Sequence, residues 1–122
     1  ETWEILRELL TEKGVLIVAV PNCSSYDAQR YREYWAAYDV PRHLWHFTPG
    51  TIQQLASRHG FIMAARHPMP FDAFYVSMWS EKQRGRSSSF LIGMYAGTLA
   101  WFSALGRKER SSSMIYVFRK KR

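Results

Sequence analysis

The 122 residues amount to at most one domain, long enough for a core but short for an enzyme carrying its own cofactor site. With 47% apolar and 16% aromatic residues the composition is globular and excludes the disordered class. The formal charge of +7 would suit an anionic partner, yet many of the cations sit in "EKQRGR" (Glu81 to Arg86), "RKER" (Arg107 to Arg110) and the C-terminal "RKKR" (Arg119 to Arg122). Runs of that kind read as solvated loops and tails, which argues against specific nucleic-acid recognition.

The chain opens in a helix: Trp3, Leu6 and Leu10, flanked by Ile5 and Leu9, share one apolar face, and Gly14 is expected to stop it. The start "ETWEILREL" has no basic run ahead of an apolar stretch, so no signal peptide is expected. It also lacks an initiating methionine, which reads as a piece of a larger protein. "VLIVAV" (Val15 to Val20) is an unbroken apolar run, the pattern of a strand covered on both faces inside a parallel sheet. Pro21-Asn22 ends it. Cys23 follows as the only cysteine, so no internal disulfide can form, and a reducing, cytoplasmic setting is expected. A reactive thiol would need a base beside it, and the sequence offers none.

"SSYDAQRYREYWAAY" (Ser24 to Tyr38) reads as helical in part, with Ser25 or Asp27 near its start, and Val40-Pro41 breaks it. Thr48 is placed as an N-cap with Pro49 in the first helical position, Ile52, Leu55 and Ala56 form the buried stripe, and Gly60 ends the helix. "FIMAARH" (Phe61 to His67) reads as a strand, "AFYVSMWSEK" as a helix, and "SMIYVFRK" (Ser113 to Lys120) as a strand placed toward a sheet edge. Helices interleaved with three strands make an α/β layer protein. The most hydrophobic strand asks for more neighbours than this chain supplies. None of the seven glycines forms the glycine-rich turn of a nucleotide cradle, and no Walker-type lysine motif is present.

"LRELLTEKGVLIVAVPNCSS", an aromatic insertion and then "DVPRHLWHFTPGTIQQLASRHGF" together resemble the C-terminal half of a class I S-adenosylmethionine-dependent methyltransferase. The resemblance covers Glu1 to Met69 and Ser112 to Lys120. It implies a Rossmann-like sheet of which this chain holds the fifth, sixth and antiparallel seventh strands with their flanking helices, the first half being absent. The implied segments are 1–22 (helix and fifth strand), 23–48 (substrate-side insertion), 49–67 (helix and sixth strand), 68–112 (aromatic helical excursion or lid) and 113–122 (terminal strand, which in the family lies between the fifth and sixth). The implied reaction is methyl transfer from S-adenosylmethionine to a small-molecule acceptor by the parent protein. The cofactor motifs would precede Glu1, so this chain alone is expected to bind no S-adenosylmethionine and to be inactive without its missing N-terminal half.

Ligands of open α/β sheets bind beyond the carboxyl ends of the strands, which turns Asn22 and the insertion toward substrate. Asn22, Trp35, Asp39, Arg42 and Trp45 are the candidate substrate-binding residues. His43 and His46 are the candidate catalytic bases, since a group titrating near neutrality suits removal of a proton from an acceptor. The alternative is a packing loop, with Leu44 and Phe47 buried and Arg42 and the histidines hydrogen-bonded to backbone or to Asp39. The two histidines and Asp39 do not complete a metal set, so no metal is expected.

"SSSFLIGMYAGTLAWFSALG" (Ser87 to Gly106) is uncharged over twenty residues and contains Gly93-x-x-x-Gly97. The leading reading is a buried or lid helix, with Phe74, Tyr75, Trp79, Tyr95, Trp101 and Phe102 lining an apolar pocket or packing a core. The alternative function is a membrane-peripheral or partner-binding module using this helix and its basic flanks. A strand deprived of a neighbour would also expose an edge through which copies could associate.

Overall fold

The computed structural model describes residues 1–121; Arg122, in the C-terminal basic run and the 113–122 segment, lies outside them. The chain is α/β. In order it forms α1 (Thr2–Leu9), β1 (Leu16–Pro21), α2 (Tyr26–Tyr31), α3 (Pro49–Arg58), β2 (Phe61–Pro68), α4 (Asp72–Gln83), α5 (Ser89–Gly106) and β3 (Ser113–Lys120). Short 3-10 turns at Arg32–Tyr34, Ala36–Tyr38 and Lys108–Arg110 fill the connections.

The three strands form one sheet in the order β1-β3-β2. β3 runs antiparallel to both neighbours, so β1 and β2 point the same way on either side of it. Ala64 is extra in the β2 ladder, which steps from Met63 opposite Phe118 to Ala65 opposite Val117. The expected edge position of "SMIYVFRK" is therefore corrected: β3 is the central strand. Its alternation reflects a different cause, because Met114, Tyr116 and Phe118 are fully buried while Ile115 and Val117 on the other face are only half-buried.

One face of the sheet carries the larger core. Met114, Tyr116, Phe118 and Phe61 pack with Ile52 and Ala56 of α3, and Trp3 and Leu10 close over them. Trp3 meets Phe61 and Phe118 edge-on at centroid distances of 5.7 and 5.9 Å. The opposite face is open: Ile17 is 63% exposed and Ile62 53%. β1 was expected to be covered on both faces and is covered on one.

The helix starts follow local chemistry. Thr48 and Thr51 form a reciprocal capping box, the Thr48 hydroxyl accepting from the Thr51 amide at 3.1 Å and the Thr51 hydroxyl from the Thr48 amide at 2.8 Å. Pro49 occupies the first turn, and Gly60, at φ +79°, ends the helix in the left-handed conformation that only glycine adopts without strain. The Ser25 hydroxyl caps α2 by accepting from the Ala28 amide. Gly14 does not terminate α1: that helix stops at Leu9, and Leu10 is already extended.

A second, smaller core of Ala28, Tyr31, Trp35, Ala37, Val76 and Ala96 joins α2, the 3-10 turns, α4 and α5. α4 and α5 form a tight hairpin. A Cβ placed on Gly93 would stand 2.5 Å from the Met78 Cα, and one on Gly97 would stand 2.8 Å from the Phe74 Cα. The small residues at this spacing thus let two backbones approach within the chain.

Candidate active site

The insertion between β1 and α3 folds against α4 and leaves a cleft of about 340 Å³ between them, the size class of small-molecule sites. Pro21, Ala36, Ala37, Asp39, Arg42 and His43 form one wall, and Asp72, Tyr75, Val76, Trp79 and Gln83 form the other. It opens at the carboxyl end of β1, the side of an open α/β sheet where ligands bind.

Three of the sequence-derived site residues meet here. Asp39 takes a left-handed conformation, φ 42° and ψ 44°, which an aspartate tolerates. Its Oδ1 accepts from Arg42 Nη2 at 2.8 Å and Nε at 3.1 Å, leaving Oδ2 outside that pair. His43 Nδ1 lies 3.1 Å from the Ala37 carbonyl oxygen. A carbonyl only accepts, so Nδ1 carries the proton, and the Nε2 of the neutral ring is left with its lone pair. His43 is thereby held in the tautomer that can take a proton. His46 is fixed in the opposite sense: Nε2 donates to the Tyr38 carbonyl at 3.0 Å. Its ring stands edge-on to Tyr38, which stands edge-on to Trp35. His46 is not among the cleft residues.

The other candidates are placed differently. Asn22 is completely buried and fully engaged. Its amide donates to the Glu109 carbonyl at 2.7 Å and the Ser111 carbonyl at 3.0 Å, and its oxygen accepts from the Ser24 amide and hydroxyl. It fastens the end of β1 to the segment entering β3 and has no atom left for a ligand. Trp35 is buried too, its Nε1 donating to Asp27 Oδ2 at 2.9 Å. Ser112 donates to the same oxygen at 2.5 Å. Asn22 and Trp35, expected to meet substrate, are thus buried and absent from the cleft lining. Trp45 lies 80% exposed, outside the cleft lining. Leu44, expected inside a packing loop, is 73% exposed, and Phe47 is half-buried.

Asp72 and Gln83 complete the cleft without having been singled out by the sequence. Asp72 heads α4, as an acidic first-turn residue should, and its carboxylate accepts from the Ser113 hydroxyl. Tyr75 and Trp79 contribute aromatic edges with their rings 6.2 Å apart, and Lys82 stands 4.5 Å over the Trp79 ring. Cys23 lies outside the lining, and burial pushes its thiol up, so it stays protonated and unreactive near neutrality.

Among the described residues, no backbone cradle for a nucleotide faces this cleft. Gly93 and Gly97 are spent on the α4–α5 contact, Gly60 on a helix end, and no glycine is among the lining residues. Among the described residues, no three His, Cys, Asp or Glu side chains gather closely enough to hold a metal ion. What remains is an amphipathic cleft with a cation, a carboxylate and a histidine on one wall and a second carboxylate with two aromatic rings on the other. Comparison with protein-family models, with curated proteins and with solved structures found no match for this chain.

Proposed function

We propose that this chain is the substrate-side half of an S-adenosylmethionine-dependent methyltransferase acting on a small-molecule acceptor. The observation that carries the reading is the sheet: a C-terminal strand lies antiparallel between two strands that run parallel to each other. Each outer strand follows a helix, and an insertion separates the two helix–strand units. The free edge of β1 and the open apolar face around Ile17 and Ile62 suit a larger sheet continuing past β1.

In this reading the acceptor occupies the cleft, its apolar part on Tyr75 and Trp79 and its reacting group toward His43 and Arg42. His43 Nε2 accepts the acceptor's proton, and the Ala37 carbonyl stabilises the imidazolium through Nδ1–H. Asp39 orients Arg42. S-adenosylmethionine does not fit the residues present here, since no glycine-rich turn meets the cleft, and it belongs to the preceding half of the protein.

The coding sequence upstream of Glu1 tests this directly. A strand followed by a glycine-rich turn is expected about a hundred residues before it, given the size of α/β domains; an unrelated fold there would refute the reading. In the whole polypeptide, His43→Gln should lower methyl transfer by about 10²-fold or more at an unchanged acceptor KM. Calorimetry on the present chain alone should show no S-adenosylmethionine binding, and micromolar affinity would overturn the division of labour.

A further inference from the structure

α5 is built inside out. Gly93, Ala96, Gly97, Ala100 and Ala104 are buried, while Phe90, Leu91, Met94, Tyr95, Phe102 and Leu105 face outward. At 3.6 residues per turn these outward side chains fall within an arc of about 140°. A helix covering a soluble core does the reverse, turning its large apolar groups inward. Only 28% of this 18-residue span is buried, although its mean hydropathy is 1.3. Phe71, just ahead of α4, and Tyr75 and Trp79 on it are exposed, and Trp79 and Tyr75 share a surface hollow with Phe90, so the two helices present one continuous apolar face.

We infer that the α4–α5 hairpin seats the protein in the surface of an anionic phospholipid bilayer, lying in the membrane plane with this face in the acyl boundary. The charges choose this occupant. Exposed Lys82 and Arg86 mark one end of the hairpin, and Arg107 and Lys108 mark the other. Cations at both ends sit level with anionic headgroups when the helices lie flat. A crossing orientation would carry one pair through the hydrocarbon together with Asp72 and Glu81 of α4, which α5 cannot leave behind because Gly93 and Gly97 hold the two backbones in contact. The aromatic residues Tyr75, Trp79 and Tyr95 are the types that settle at the headgroup level. Docking would place the cleft, which shares Tyr75 and Trp79 with this face, at the bilayer surface. The inference stands whether or not the chain takes part in methyl transfer.

The test is flotation of the purified chain with vesicles of phosphatidylcholine alone or containing about 30 mol% phosphatidylserine. Flotation is expected with the anionic vesicles, with at least about tenfold weaker binding to the neutral ones. Leu91→Asp and Phe102→Asp, at positions 72% and 59% exposed, should each weaken binding about tenfold or more while far-ultraviolet circular dichroism stays unchanged. Arg107→Gln with Lys108→Gln should weaken it only on anionic vesicles. Absence of flotation would overturn the inference. So would binding indifferent to Leu91→Asp and Phe102→Asp, or a stable dimer in solution that these substitutions disperse, since a second copy would then be what covers the face.

Discussion

Gly93→Ala should destabilise the protein even though alanine is the better helix former. A Cβ at Gly93 would lie 2.5 Å from the Met78 Cα and 2.8 Å from its amide nitrogen, both backbone atoms that no rotamer change can move away. Ordinary contact begins at 3.4 Å, so α4 and α5 would have to separate by about 1 Å. A gap of that size forfeits roughly a quarter to a half of the dispersion energy along the rest of the contact. Overpacking of this kind costs about 1–3 kcal/mol. Because the overlap is with backbone atoms the cost lies toward the upper end of that range, and replacing glycine within a helix returns roughly 1 kcal/mol, leaving a net loss of about 1–2 kcal/mol. For a chain of this size that lowers Tm by roughly 5 °C. Gly106→Ala, at the end of the same helix with no atom within 4 Å of the added Cβ, supplies the control and should leave Tm unchanged or raise it. Thermal unfolding followed by circular dichroism reads both. A Gly93→Ala protein as stable as its parent would refute the close approach of the two helices, and with it the fixed face on which membrane docking depends.

Asn22→Asp should cost about 3 kcal/mol or more, because a carboxylate would replace the two donors that meet the Glu109 and Ser111 carbonyls in a fully buried site; urea unfolding gives the value. Burial pushes the Tyr116 phenol up to about 12, from an ordinary value of 10. The folded state therefore holds this proton more tightly than the unfolded chain, so the contribution is complete below pH 10 and is lost as pH climbs toward 12. The loss is about 2–3 kcal/mol, and Tyr116→Phe should flatten that part of the stability–pH curve relative to the parent protein. The unpaired edge of β1 should let copies associate by strand pairing, and light scattering showing only monomers across concentration would count against it.

Elements whose limits are set by local chemistry were legible in the sequence. Thr48, Pro49 and Gly60 delimit α3 through a cap, a first-turn proline and a left-handed glycine, each acting within its own few residues. β2 and β3 likewise begin and end close to where their apolar runs do. Burial across the sheet was less legible. "VLIVAV" records a strand fit to be covered twice, whereas Ile17 is exposed because α1 and α3 pack on the other face alone. Alternation in β3 suggested an edge for a related reason. It distinguishes a well-covered face from a poorly covered one, but says nothing about how many neighbours bond to the strand.

The candidate site divides along the same line. Asp39, Arg42 and His43 are close in sequence, and their hydrogen bonds stay within residues 36 to 43, so a local reading could place them together. The opposite wall comes from α4, some thirty residues further on. Nothing in "PMPFD" distinguishes Asp72 from an ordinary helix-start acid. Asn22 shows the converse: a strand-end position in the right topological place, yet its amide is consumed by carbonyls nearly ninety residues away. Position within an α/β sheet indicates which end of a strand faces a ligand, and only the hydrogen-bond partners indicate which side chains remain free to meet one. His43 satisfies both conditions. One ring nitrogen is committed to the chain and the other is available, across the cleft from a wall that is continuous with the apolar face of the α4–α5 hairpin. An acceptor reaching His43 past Tyr75 and Trp79 would approach along that face. In the proposed reading, this favours an acceptor with an apolar body and a protic group.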